Sequence, residues 1–112
     1  MAKTPVEYEE YVTLTRTGLT PNGCTINRGG YAKIGNLVII NLRITKTASG
    51  QCTVSGFPAY ASSGDNFVAL TAVDVSSNNS PLGCIMRVHG EITITSSSSS
   101  GTFAISGCYI CE

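Results

Sequence analysis

The sequence predicts an all-β protein, an antiparallel β-sandwich of jelly-roll or Greek-key kind with roughly eight to ten short strands. Three observations carry this. Gly30-Tyr31-Ala32-Lys33-Ile34-Gly35-Asn36-Leu37-Val38-Ile39-Ile40 reads as a short strand, a tight Gly-Asn turn and a long apolar strand. Alternating segments with turn signals about every 8–12 residues continue along the chain. No helical period of useful length interrupts them.

The elements follow in order. Residues 1–10 form a loose or single-turn lead-in, since Thr4-Pro5-Val6-Glu7 matches a helix capping box with proline at the first helical position. A first strand covers 11–17, with Val12 and Leu14 on one side and Thr13 and Thr15 on the other. Leu19-Thr20-Pro21-Asn22-Gly23 is a turn. A short strand over 24–28 is expected to stop at Gly29-Gly30. The hairpin arms are 31–34 and 37–47. In the second arm Val38, Ile40, Leu42 and Ile44 share one face, while the face of Leu37, Ile39, Asn41, Arg43 and Thr45 grows polar along its length. That strand should start covered on both sides and end with one side wet.

After a turn at Ala48-Ser49-Gly50, a strand over 51–55 points Cys52 and Val54 inward and breaks at Gly56-Phe57-Pro58. Residues 60–66 are a loop. Residues 67–75 are a long strand, 76–81 a loop, and 82–89 and 91–95 partners across Gly90. Ser96 to Ser100 is a low-complexity tip. Strands over 102–106 and 108–111, divided by Gly107, end a single domain spanning 1–112.

Composition narrows the function classes. The chain has 112 residues, of which 42% are apolar and only 12% charged, about half the usual charged share. Ser, Thr and Asn must therefore supply the polar surface, a habit of adhesins and virion proteins. Seven basic and seven acidic residues leave a formal net charge of zero. No nucleic-acid partner is expected, and little repulsion opposes self-association. The first residues carry no apolar signal segment and no stretch is long enough to insert in a membrane, so synthesis in the cytoplasm is expected. Five cysteines, an odd number at irregular spacing, do not suggest a disulfide framework. Cys108 and Cys111 point to opposite faces of a strand, which suits neither a shared metal nor a thioredoxin-type site. The cysteines are expected to be small buried or half-buried thiols, with no metal and no cofactor.

No catalytic constellation is evident, and no enzyme is expected. The single histidine, His89, lies in Arg87-Val88-His89-Gly90-Glu91. Alternation puts it with Arg87 and Ile85, opposite Val88 and Met86, on an outer or inter-subunit face. Asp65, Asp74, Glu91 and Glu112 are far apart in sequence, and a glycosidase needs two facing carboxylates. Saccharide binding needs less: an aromatic ring to stack on a sugar and a few polar groups. Tyr60, Asp65 and Asn66 offer that set in one loop. Asn78 and Asn79 in the next loop, with Arg87 and His89, could extend it.

The segment from Gly30 to Val38, the Gly56-Phe57-Pro58 break and the closing Gly107-Cys108-Tyr109-Ile110 resemble the C-terminal receptor-binding or head domains of bacteriophage tail fibre and baseplate proteins. The resemblance covers roughly residues 28–112. It implies a jelly-roll-like sandwich that forms homotrimers at a virion tail tip and binds host cell-surface saccharide. The family carries its receptor residues on no fixed motif, so none is transferred. The alternative is a structural trimerisation or decoration module of the virion with no ligand of its own.

Overall fold

The computed structural model describes residues 13–48, 51–59, 68–87, 89–95 and 101–111. They form an all-β, antiparallel fold with no helix among them. Its strands are β1 (Thr20–Asn22), β2 (Cys24–Ile34), β3 (Leu37–Lys46), β4 (Cys52–Ser55), β5 (Val68–Ala69), β6 (Thr71–Asp74), β7 (Ser80–Met86), β8 (Ile92–Thr95) and β9 (Gly101–Ile110). The sheet order is β1-β4-β8-β7-β6-β9-β3-β2, with β5 also on β7. The two ends of this order are consecutive in sequence and separated only by Gly23. Thr47 N–H donates to the Gly23 carbonyl at 2.9 Å, so the sheet curls until its ends nearly meet in a barrel. Strand β7 turns the corner: Ser80 to Leu82 pair with β6, while Gly83 to Met86 pair with β8.

The hairpin forms where its turn chemistry places it. Ile34 pairs with Leu37 across Gly35-Asn36, and Gly35 adopts φ 61°, which a residue with a Cβ resists. Strand β3 lies between β2 and β9 along its whole length. Its Val38, Ile40, Leu42 and Ile44 are buried with Val54, Met86, Ile92, Ile94, Phe103 and Ile105 in one core. Burial of each such side chain stabilises by about 1.5–3 kcal/mol. On the other face Leu37 and Ile39 are half-buried and Asn41 and Arg43 exposed, as the alternation requires. Strands β5 and β6 keep one register against β7, from Val68↔Met86 to Asp74↔Ser80, with Leu70 N–H donating to Cys84 O between them. They make the long strand expected over 67–75, interrupted at Leu70. Strands β7 and β8 pair across Gly90 as expected.

Four expectations are corrected. The turn expected over 19–23 holds strand β1, which pairs with β4. Gly29-Gly30 does not end a strand, because β2 runs unbroken from Cys24 to Ile34. The glycines allow close approach instead: a Cβ on Gly30 would collide with the Thr15 carbonyl, and one on Gly29 with the Asn41 carbonyl. Gly107 does not divide the last strand, because β9 is continuous and Leu70 packs into the space a side chain there would fill. The strand expected over 11–17 is reduced, among the described residues, to one bridge between Thr15 and Tyr31. The lead-in over 1–10 and the tip over 96–100 lie outside the described residues. At the hairpin-turn end, Phe57 closes the core. Its ring meets Tyr31 edge-on at 5.6 Å, and Tyr109 Oη–H donates to the Pro58 carbonyl at 2.6 Å.

Candidate functional site

The loop residues singled out for saccharide do not assemble into one site. Tyr60, Asp65 and Asn66 lie outside the described residues. Asn78 and Asn79 occupy the tip between β6 and β7, with φ 55° and 57°. Ser80 N–H donates to Ser77 O at 3.1 Å, closing a turn whose two central residues are left-handed. Asparagine is favoured there for its backbone. Beside it the buried Asp74 carboxylate accepts hydrogen bonds from Ser76 N–H and Oγ–H, at 3.0 and 2.6 Å. Arg87 and His89 stand at the opposite end of β7, a seven-residue strand. At about 3.3 Å per residue, more than 20 Å separates the two groups. What the structure does bring together is His89 and Glu91, with Nε2 and Oε1 3.7 Å apart and the His89 side chain 65% exposed. Arg87 closes the same turn through its N–H to Glu91 O at 2.9 Å, and its Nε reaches Thr93 Oγ1 at 3.4 Å.

A different site lies on the outer face of β2, β3 and β9. Leu14, Arg28, Gly29, Asn41, Leu42, Arg43 and Ala104 line a hollow of about 270 Å³. Its geometry starts from one extra residue. Cys24↔Lys46, Thr25↔Thr45 and Ile26↔Ile44 pair in one register, and Arg28↔Arg43 onward in another, leaving Asn27 as a β-bulge. Before the bulge the even-numbered residues of β2 share the inward face with Ile44 and Lys46. After it they share the outward face with Arg43. The regular hairpin register therefore sets Arg28 on the outer face across from Arg43, and the bulge re-aims Ile26 and Cys24 toward the core. Arg16 ties the irregular backbone: Nε donates to Gly29 O at 3.0 Å, Nη2 to Asn27 O at 3.1 Å and Nη1 to Ile26 O at 3.4 Å. Asn27 Nδ2–H donates to Thr45 Oγ1 at 2.5 Å. Among the described residues, neither the Arg28 nor the Arg43 guanidinium has a hydrogen-bond or ion-pair partner. The hollow thus offers two rigid donor forks, the Asn41 amide, and Leu14 and Ala104 as apolar walls. Sequence reading missed it because Gly29-Gly30 was expected to end the strand, which separates Arg28 from the hairpin register that pairs it with Arg43.

The second concentration of chemistry faces the core. Lys46 continues the inward row of β3, pairs with Cys24, and is only 2% exposed. The Cys24 and Cys52 thiols hydrogen-bond each other, and Cys24 Sγ–H also lies 3.7 Å from Thr53 O. The bond from Cys24, and then the positive charge of Lys46, favour a thiolate on Cys52. Cys24 is pushed the other way, by its bond to Cys52, by burial and by the charge on Cys52. Burial, and then the charge on Cys52, push the Cys84 thiol up to about 12. All three thiols are buried, so the cluster is closed to solutes. Cys111, just past β9, is buried, but Cys108 is exposed, which corrects the expectation that the cysteines are buried or half-buried. Among the described residues no group of three or more His, Cys, Asp or Glu could hold a metal ion.

A scan against protein-family models and searches of curated proteins and of solved structures each find no match.

Proposed function

We propose that the chain is a non-enzymatic head domain of a phage or prophage tail, which binds host cell-surface saccharide as a homotrimer at the virion tail tip. The outer hollow is its binding site. The observation that carries this reading is an open recess whose strongest hydrogen-bond donors, Arg28 and Arg43, have no partner among the described residues. Its volume of about 270 Å³ is just below the range of about 300–1,000 Å³ for drug-sized ligands. One sugar or one head group fits better than a long oligosaccharide.

Two features support self-association. The formal net charge is zero. Ile34, Leu37 and Ile110 pair in register across three strands on the outer face near the hairpin turn, and Ile34 and Ile110 are 49% and 53% exposed. Leu37 is six residues along β3 from Arg43, about 20 Å, so a subunit contact there leaves the hollow free. The same apolar row would serve a structural trimerisation or decoration module, the second reading.

Light scattering at micromolar concentration, paired with a glycan-array screen, tests the proposal. A mass near three times 11.7 kDa, with glycan binding, is expected. A trimer that binds no glycan favours the structural module. A monomer that binds no glycan overturns both readings.

A further inference from the structure

Resting on the reading of the outer hollow as the binding site, we infer that its ligand presents an oxyanion, a carboxylate or phosphate carried on a saccharide, and that Arg28 and Arg43 hold that anion between them. Like charges directly opposite on neighbouring strands repel. The hairpin register, regular from Ile34↔Leu37 onward, sets Arg28 directly opposite Arg43 on the outer face, just before the Asn27 bulge. Among the described residues no carboxylate lines the hollow to relieve the repulsion. The Arg16 guanidinium bonds to three neutral carbonyls at its edge, so its charge adds to the positive field.

An oxyanion resolves this arrangement. Two guanidinium forks can each donate two parallel hydrogen bonds to carboxylate or phosphate oxygens, and the anion turns the repulsion into two attractions. A neutral hydroxyl offers no charge to offset. The Leu14 and Ala104 walls then take the apolar face of the sugar, with the Asn41 amide free for a ring hydroxyl. Since guanidinium stays charged at all ordinary pH, recognition should follow salt rather than pH.

The test is an NMR titration of the whole chain, reading the amides of Asn41 and Ala104. The probes are trigalacturonate, a glycerol-phosphate trimer and neutral galactotriose, each at roughly 20 mM and roughly 300 mM sodium chloride. Either or both acidic probes should shift those amides, and galactotriose should not. Which acidic probe binds distinguishes carboxylate from phosphate. Arg28→Gln and Arg43→Gln should each weaken binding about tenfold or more. Lys33→Gln, which removes an exposed charge outside the hollow, should weaken it less than twofold. Galactotriose binding at the same amides, unchanged in the arginine variants, would leave the hollow a binding site and overturn the anion. Equal losses in Lys33→Gln and Arg43→Gln would overturn it too, since only total charge would matter. Shifts of neither amide with any probe, in a protein that binds glycan on an array, would remove the hollow as the site.

Discussion

Arg43 and Lys46 carry the same charge three residues apart in β3, yet they lie in opposite worlds. Arg43 stands on the outer face, opposite another arginine, at an open hollow. Lys46 lies in the core against a pair of hydrogen-bonded thiols. Residues three apart in a strand point to opposite faces, so the separation itself needs no further cause. The instructive difference is how each charge is accommodated. The buried ammonium would cost several kcal/mol if nothing compensated it, and here it favours the thiolate form of Cys52. The outer guanidinium is solvated, so folding tolerates it without a partner, and its hydrogen-bonding capacity stays available to a ligand.

Deleting Asn27 should leave Arg28 facing Arg43, because Ile26↔Ile44 and Arg28↔Arg43 then follow one another in a single regular register. The loss is that of the Asn27 bonds to Thr45 and Arg16, about 1–2 kcal/mol in chemical denaturation. Asn27→Ala keeps the residue count and removes only the bond to Thr45, a loss of about 1 kcal/mol. A deletion variant that loses more than about 4 kcal/mol would mean that the bulge is needed to hold Arg28 outward. On the buried side, Lys46→Ala should cost about 2–4 kcal/mol through the cavity it leaves. Lys46→Met, which keeps most of the volume, should cost less while shifting the first thiolate absorbance to higher pH. An unchanged absorbance profile in Lys46→Met would separate Lys46 from Cys52.

The same contrast decides what could be read from the sequence. The hairpin was legible because Gly35-Asn36 and the Val38-to-Ile44 alternation are local signals that agree. The pairing of β7 with β8 was legible for the same reason. The site was not. Gly29-Gly30 reads locally as a stop, and only the approach of the Thr15 and Asn41 carbonyls explains glycine there. Lys46 obeys the alternation one step beyond Ile44, but its charge makes a buried position look wrong until the thiols of β2 and β4 are seen beside it. The opposite error arose at Asn78 and Asn79, where turn chemistry accounts for residues that sequence offered to a sugar.

Alkaline pH should act on the inner region and spare the outer one. Burial, first, raises the Cys84 thiol from 9.0 to about 12, and burial also raises the Tyr109 hydroxyl above its usual 10.0. The unfolded chain releases these protons at lower pH than the folded one. The stability they contribute is therefore complete below about pH 9 and is lost as pH rises toward 12. Melting temperature should fall over that window, and Cys84→Ala should flatten the fall. Salt dependence at the hollow should be the same at pH 7 and pH 9, because a guanidinium holds its charge at all ordinary pH. A Cys84→Ala variant with the parent's alkaline slope would remove Cys84 from the account.

The smallest expected effect sharpens the comparison furthest. Arg43→Gln removes one member of an exposed like-charge pair, which should raise stability by a few tenths of a kcal/mol at low salt. The gain should fade at high salt, because exposed charges are screened over about 10 Å at 0.1 M. A stabilised variant would mean that the arginine pair works against folding, as a group kept for a ligand does. A loss above about 1 kcal/mol would mean the reverse: the Arg43 stem packs on the sheet, and the side chain serves the fold. Lys46 offers no such ambiguity, since every substitution there should destabilise.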